Sequence, residues 1–486
     1  MPLEDIIQVR KDKLARIIRD GESPYPAKSW RTHIISDVIN SFIELETSKE
    51  HVILTGRLLS KREHGALIFL DLRDESGQIQ LLLKKDDVGD EIFNKFTEAI
   101  DIGDIIEVKG FVFNTKRNEK TLQIVQYRIL TKSILPLPEK WHGIVDVEDR
   151  YRKRYLDLIF NEDVRNKFYK RAHIIQSMRS FLISHKFLEV TTPTLQPLYG
   201  GASARPFKTH LNSLDMTMFL RLAPELYLKR LMVGGFERVF EFATCFRNEG
   251  IDREHSPEFL MLEFYAAYTD IEWGMDFIET MLAYVARDCF GSFDIQIGDN
   301  AVSFKPRFSR IRFDDLLKQA TGLDYVNSTI EDFVRVGNEK KVPLGELVDK
   351  ANMADELIKK LVRPTIIQPL FVTHYPTDML PLAKKSRDPM FTESFQLLFG
   401  GFEVVKAFGE LNDPMDQRER FAQQEDKRAK GDEEAQQSDE NFLEALEYGM
   451  PPACGAGIGI DRLVTLLTNS HSLREIQLFP LMRKDN

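Results

Sequence analysis

Cysteine is nearly absent from this chain: three in 486 residues, Cys245, Cys289 and Cys454, with no C-x-x-C spacing. A sparse, odd count excludes a disulfide framework and a cysteine zinc site, and points to a reducing compartment. Long apolar runs are missing too, and nothing approaches the roughly 18 residues of a membrane span. The opening MPLEDIIQVRKDKLARIIRDG has acids near its start and no apolar stretch of a secretion signal. A cytoplasmic location with no membrane partner is expected. Positive charge is not in excess: 66 Lys and Arg against 76 Asp and Glu leave a formal charge of −10. Any nucleic-acid contact must then use local basic patches. Also lacking are a Ser/His/Asp or Cys/His nucleophile signature and a glycine-rich Walker loop with its lysine. The GAGIG run near the C-terminus has no βαβ unit after it, so it is not a dinucleotide loop.

What is present centres on Phe242 to Tyr268, FATCFRNEGIDREHSPEFLMLEFYAAY. An apolar run ends in Arg247 and Glu249, a charged turn with His255 and Pro257 follows, and a second run carries Glu263 and Tyr265. The spacing predicts strand, loop, strand. Charges inside such strands are costly unless paired or bound to a ligand, and same-face residues recur at every second position. The plainer reading is a salt-bridged hairpin with a solvated tip.

Elsewhere, apolar residues at helical spacing predict an amphipathic helix over Leu3 to Asp20, stopped by Gly21 and two prolines. Its basic face is either solvated or available to RNA phosphates. Five strand patterns between His51 and Thr131, with a helix after the third, are the order of an OB-fold barrel. On its face Phe69, Arg57, Arg62, Gln80 and Lys120 are candidates to stack bases or hold phosphates, and core packing is the alternative for Phe69. The expected division is a helical extension over 1–50, the barrel over 51–135, a proline-marked linker over 136–160 and a main domain over 161–486 with an insertion near 307–361.

FRNEG, HSPEF and LEFY resemble motif 2 of the class II aminoacyl-tRNA synthetases in their lysyl form, and GIGIDR at Gly457 to Arg462 resembles motif 3. GGASARPF, LRLAPELYLKRLMVGGFERVFE, ELNDPMDQRERF and ALEYGMPP extend the resemblance from about His51 to the C-terminus. It implies an α+β fold: an N-terminal OB-fold β-barrel plus a catalytic domain built on an antiparallel β-sheet flanked by helices. It further implies a homodimer joined through the helix of 163–185 and the strand ending at Pro193, with tRNA(Lys), lysine and ATP as partners and Mg2+ as cofactor.

By motif match, Arg247 would hold the α-phosphate of ATP and Arg462 the γ-phosphate, with Glu249 and His255 on the nucleotide and Phe259 against adenine. Glu403 would hold magnesium. Gly201, Glu225, Glu263, Tyr265, Phe408, Glu410 and Gly457 would form the lysine pocket, Glu410 and Tyr265 facing its ε-ammonium. Phe69, Gln80 and Arg57 would meet the anticodon. The chain departs from the pattern at Gln396, where a magnesium-binding glutamate is usual, at Lys406 in place of asparagine, and at Glu254 and Ser256 around His255. Gln396 therefore stands as a doubtful metal ligand. Two other functions compete: lysylation of a protein by a paralogue, against which the barrel and Gly457 count, and RNA binding without catalysis, suggested by Gln396 and Lys406.

Overall fold

The computed structural model describes residues 2–138, 146–344, 347, 349–430 and 435–483. Two compact units divide the chain at Asp146 and Val147.

In the first unit five strands, β1 (Val52–His64), β2 (Leu67–Arg73), β3 (Gln78–Lys84), β4 (Ile105–Asn114) and β5 (Lys120–Thr131), close a barrel in the order β1-β2-β3-β5-β4. The expected helix follows the third strand, Asp90–Ala99, and buries Phe93 and Phe96. Period-two alternation sends Ile68, Leu70 and Leu72 inward, so Phe69 lies on the outer face. The first fifty residues are not a separate extension. Ile17, Ile35, Val38, Phe42 and Leu45 join the barrel's own apolar cluster. The basic residues of the helix Leu3–Arg19 serve this docking in part: Arg10 donates to the carbonyls of Ile102, Ser133 and Leu135, and Lys13 pairs with Asp101 at 2.6 Å.

The expected linker falls partly outside the described residues, at 139–145, but its end is built into the second unit. Val147–Arg152 and Arg154–Phe160 are helical. Arg154, 1% exposed, pairs with Asp157 at 2.7 Å and donates to the carbonyl of Arg474.

The second unit is organised on an eight-stranded, mainly antiparallel sheet. Its strands in chain order are β6 (Leu188–Glu189), β7 (Arg238–Phe246), β8 (Glu258–Ala267), β9 (Ser309–Arg312), β10 (Leu370–Thr373), β11 (Ser394–Phe399), β12 (Phe402–Gly409) and β13 (Ala453–Gly459). They lie in the order β9-β10-β11-β12-β13-β8-β7-β6. One face is covered by the helices Glu162–Ser184 and Ile271–Phe290, whose Met178, Phe181, Ile278 and Leu282 pack on Phe240, Leu262 and Phe264. Burying each such aromatic contributes roughly 1.5–3 kcal/mol. Asp270 caps the second of these helices through the amide of Trp273, and Gly291 ends it at φ +70°. Alternation along β8 then leaves Glu263 and Tyr265 on the opposite face, where the site forms.

The insertion is narrower than expected. Ser309–Arg312 belongs to the sheet, parallel to β10, so the added helices Phe313–Thr321, Ile330–Glu339 and Lys350–Leu361 start after it. They bury Phe313, Phe333 and Leu357 in a cluster of their own. The expected strand around Phe187 to Leu195 is split: Leu188–Glu189 pairs with the large sheet, while Leu195–Gln196 pairs in a separate three-stranded sheet.

Candidate active site

Two rows of side chains cross the open face of the sheet. In one, Gln396, Lys406, Gly457, Glu263 and Glu241 stand opposite one another on successive strands. In the next, Ser394, Phe408, Gly455, Tyr265 and Val239 do so. Both rows pass through a glycine of the central strand β13. With no side chain there, a cavity of about 270 Å³ opens above the sheet. A Cβ on Gly455 would collide with Glu410 and with the ring of Tyr265, while one on Gly457 would come within 2.9 Å of Met261 Cε. Gly455 was not singled out from the sequence, and it is the tighter of the two.

One end of the cavity is acidic. Glu225 opens the helix Glu225–Val233, and Gly201, in the left-handed region at φ +79°, lies against it. Glu263 accepts a hydrogen bond from the Tyr265 hydroxyl at 3.1 Å. Burial first, then the neighbouring Glu225, raises the Glu263 carboxyl well above the usual range. Glu410 departs from expectation, because it does not line the cavity. It stands behind the floor at Gly455, 1% exposed, and its Oε2 lies 2.5 Å from the ammonium of Lys229. Burial pushes the Glu410 carboxyl up to about 8, with Lys229 opposing. Lys229 itself is fully buried, 2.7 Å from Glu225 and with its ammonium 5.9 Å from the centre of the Phe408 ring. The sequence reading missed Lys229, although an acid and a lysine four apart on an apolar helix are a readable pair.

The other end carries two arginines among acids. Arg247 leaves the end of β7, its guanidinium 5.0 Å from the centre of the Phe259 ring and its Nε buried without a hydrogen-bond partner. Arg462, from the helix Ile460–Leu467, donates to the carbonyl of Glu403 at 3.2 Å and to His255 Nε2 at 3.3 Å. His255 Nδ1 faces Asp252 at 2.8 Å, so its Nε2 is left as the acceptor. Glu249, Glu403 and Lys406 also line this cavity. Asp461 locks the supporting loop, accepting from Leu260 N at 3.2 Å and pairing with Arg171 at 2.7 Å. A magnesium ion needs hard oxygen donors. The Glu403 carboxylate supplies one, since no hydrogen bond or ion pair engages it among the described residues. Gln396 does not fit the same role: it is buried, does not line the cavity, and its Oε1 accepts from the Tyr375 hydroxyl at 2.8 Å.

On the barrel, Phe69 is partly exposed opposite Arg62, with its ring edge-on to His64. Gln80 and Arg57 are less available than expected. Gln80 is 8% exposed and accepts from Thr121 at 3.0 Å, and Arg57 donates to the carbonyl of Gly103 at 2.8 Å. Lys120 is turned to the carbonyl of Ile39.

Comparison with known proteins agrees with this architecture. Residues 146–483 match the family model of class II tRNA synthetases (D, K and N), and residues 52–130 match an OB-fold nucleic acid binding domain. A lysine–tRNA ligase of Halalkalibacterium halodurans is 46% identical over 99% of this chain and 97% of its own length. Those of Bacillus subtilis and Moorella thermoacetica are 45% and 46% identical, each over 99% of this chain and 98% of their own length. The chain belongs to the class II tRNA synthetases, among the lysine–tRNA ligases.

Proposed function

We infer that the cavity binds ATP and lysine side by side, joins them as lysyl-adenylate, and passes lysine to the terminal adenosine of tRNA(Lys). The observation that carries this reading is the polarity of one cavity, with buried carboxylates at one end and two arginines at the other. A cationic amino acid fits the first and a polyphosphate the second.

In the first step a carboxylate oxygen of lysine attacks the α-phosphorus, the new O–P bond forms, and the bond to the bridging oxygen breaks to release pyrophosphate. In the second, a ribose hydroxyl of the tRNA attacks the acyl carbon, its proton is lost, and AMP leaves. No enzymic nucleophile is needed, so the residues act by positioning and charge neutralisation. Arg247 holds the α-phosphate and Arg462 the γ-phosphate, Glu249 and His255 contact the nucleotide, and adenine stacks on Phe259. Glu225 takes the α-ammonium of lysine. Glu263, Tyr265 and, from behind Gly455, Glu410 take the ε-ammonium, with Phe408 along the aliphatic stem and Gly201 allowing close approach of the substrate backbone. Magnesium bound through Glu403 and the phosphates would neutralise charge on the polyphosphate.

The exposed Phe69 face of the barrel is the place for anticodon bases, with Gln80 and Arg57 supporting it from within. The helix Glu162–Ser184 and strand β6, with Tyr169, Ile183 and Leu188 exposed, offer a surface for a second copy of the chain. ATP–pyrophosphate exchange tested with each of the twenty amino acids should proceed with lysine alone, and exchange with none of them would remove the enzyme reading. Charging of tRNA, with no transfer to protein, separates this function from lysylation of a protein.

A further inference from the structure

The two departures at Gln396 and Lys406 are not independent. They are directly opposed across β11 and β12. Opposed residues of an antiparallel pair share one face, about 4.5–5.5 Å apart at Cβ. Against the glutamate and asparagine that the resemblance to the lysyl enzymes implies at these two places, one negative charge is lost and one positive charge gained. The net change of two positive charges equals the charge of one divalent cation.

The two side chains have divided roles. Gln396 is held away from the cavity by Tyr375. Lys406 is exposed and lines the cavity, and its ammonium makes no hydrogen bond or ion pair among the described residues. It does not compete for Glu410, whose cation is Lys229. Its electrostatic neighbours lie at the end of the cavity that carries the arginines instead. Lys406 and Glu403 both act electrostatically on Asp355, on the helix Lys350–Leu361.

We propose that the Lys406 ammonium is a fixed polyphosphate ligand that takes the charge-neutralising share of one divalent ion, so that the cavity binds ATP with a single magnesium, at Glu403. The proposal rests on the ATP-binding reading above. A lysine suits the task, being a compact point charge on a flexible stem that reaches phosphate without bidentate geometry. Arg247, Arg462 and Lys406 bring three positive charges to the polyphosphate beside those of the magnesium. At Gln396 a further divalent ion would find only an amide whose oxygen is already engaged by Tyr375.

The test uses the full chain with an ATP analogue carrying a methylene between the α- and β-phosphates, and Mn2+ as the spectroscopic stand-in for Mg2+. Electron paramagnetic resonance should count one bound Mn2+ per site in the unaltered chain and two in the double variant Gln396→Glu, Lys406→Asn. Calorimetry at saturating Mg2+ should show Lys406→Met losing about tenfold in affinity for the analogue, the order of one charge-assisted contact. Lys406 is exposed, so this substitution leaves the sheet packing intact, and circular dichroism verifies it. Two Mn2+ in the unaltered chain, or an unchanged affinity in Lys406→Met, overturns this proposal alone. No binding of the analogue to the unaltered chain overturns it together with the ATP-binding reading.

Discussion

The ammonium of Lys229 bridges Glu225 and Glu410, 2.7 Å from one carboxylate and 2.5 Å from the other. With Glu263, three carboxylates therefore share one resident cation, which leaves two negative charges when all are ionised. A lysine molecule brings two ammonium groups. Without it, burial raises both the Glu410 and the Glu263 carboxyls, which favours their protonated forms. A bound cation favours the ionised carboxylates, so lysine must displace protons when it binds at a pH where they are protonated. Lysine affinity should rise from about pH 6 to about 8, by up to about tenfold per pH unit for each proton released, then level off. Calorimetry across that range in buffers of different ionisation enthalpy measures both quantities. A flat affinity with no proton release would refute the charge count.

Removing the resident cation should show in stability. In Lys229→Met two buried carboxylates lose their partner, a loss of about 3–5 kcal/mol when they are ionised. They can escape part of it by holding protons. A carboxyl with a raised pKa in the folded state contributes stability that is full below its unfolded value and is lost as pH rises through its folded value. The deficit of Lys229→Met against the unaltered chain should thus grow between about pH 5.5 and 8.5 in urea unfolding. A deficit independent of pH would mean that Lys229 acts by packing alone.

Charges placed inside apolar strands made much of the site legible from sequence. Arg247, Glu263, Tyr265 and Arg462 stand in short words whose residue types have no cheap structural use, and all line one cavity. The five barrel strands were readable for a related reason, since alternation and turn residues are local signals. What stayed hidden depends on register between distant segments. Gly455 matters because β13 lies between β8 and β12, bringing Tyr265 and Glu410 against it. Glu410 looked like a cavity residue until Lys229, 181 positions earlier in the chain, proved to hold it. The first fifty residues looked like an extension because their apolar stripe does not name its partner, which is the barrel.

Gly455→Ala should separate the two substrates. The added methyl has no room between Glu410 and Tyr265, which are 1% and 3% exposed and cannot retreat. Overpacking of this kind costs about 1–3 kcal/mol and here displaces the ammonium-binding groups. Lysine-dependent exchange should fall by about 100-fold, while affinity for an ATP analogue stays within about twofold. Gly457→Ala should be milder, because its nearest contact is the flexible end of Met261. Equal effects from the two substitutions would sink the placement of the lysine pocket at Gly455.

Arg247→Ala should abolish adenylate formation without unfolding the chain. Its guanidinium lies over Phe259 and makes no ion pair among the described residues. Loss of one preorganised charge at the reacting phosphate lowers turnover by about 10²–10³-fold. Arg247→Lys should recover little of this, since a point charge does not reproduce the planar fork. Pyrophosphate exchange gives the rate and circular dichroism the fold. An active, folded Arg247→Ala would remove this arginine from the chemistry.

The barrel offers a cleaner separation still, because Phe69 projects from its outer face while Ile68 and Leu70 on either side fill the core. Phe69→Ala removes a stacking surface and leaves that core untouched. Base–aromatic stacking is worth about 1–3 kcal/mol, so the KM for tRNA should rise by about 5- to 150-fold. Lysine-dependent exchange, which needs no tRNA, should be unchanged, and so should the unfolding midpoint. A Phe69→Ala variant that lost stability instead, with an unaltered KM for tRNA, would make the ring a packing residue. The anticodon face would then have to be sought elsewhere on the barrel.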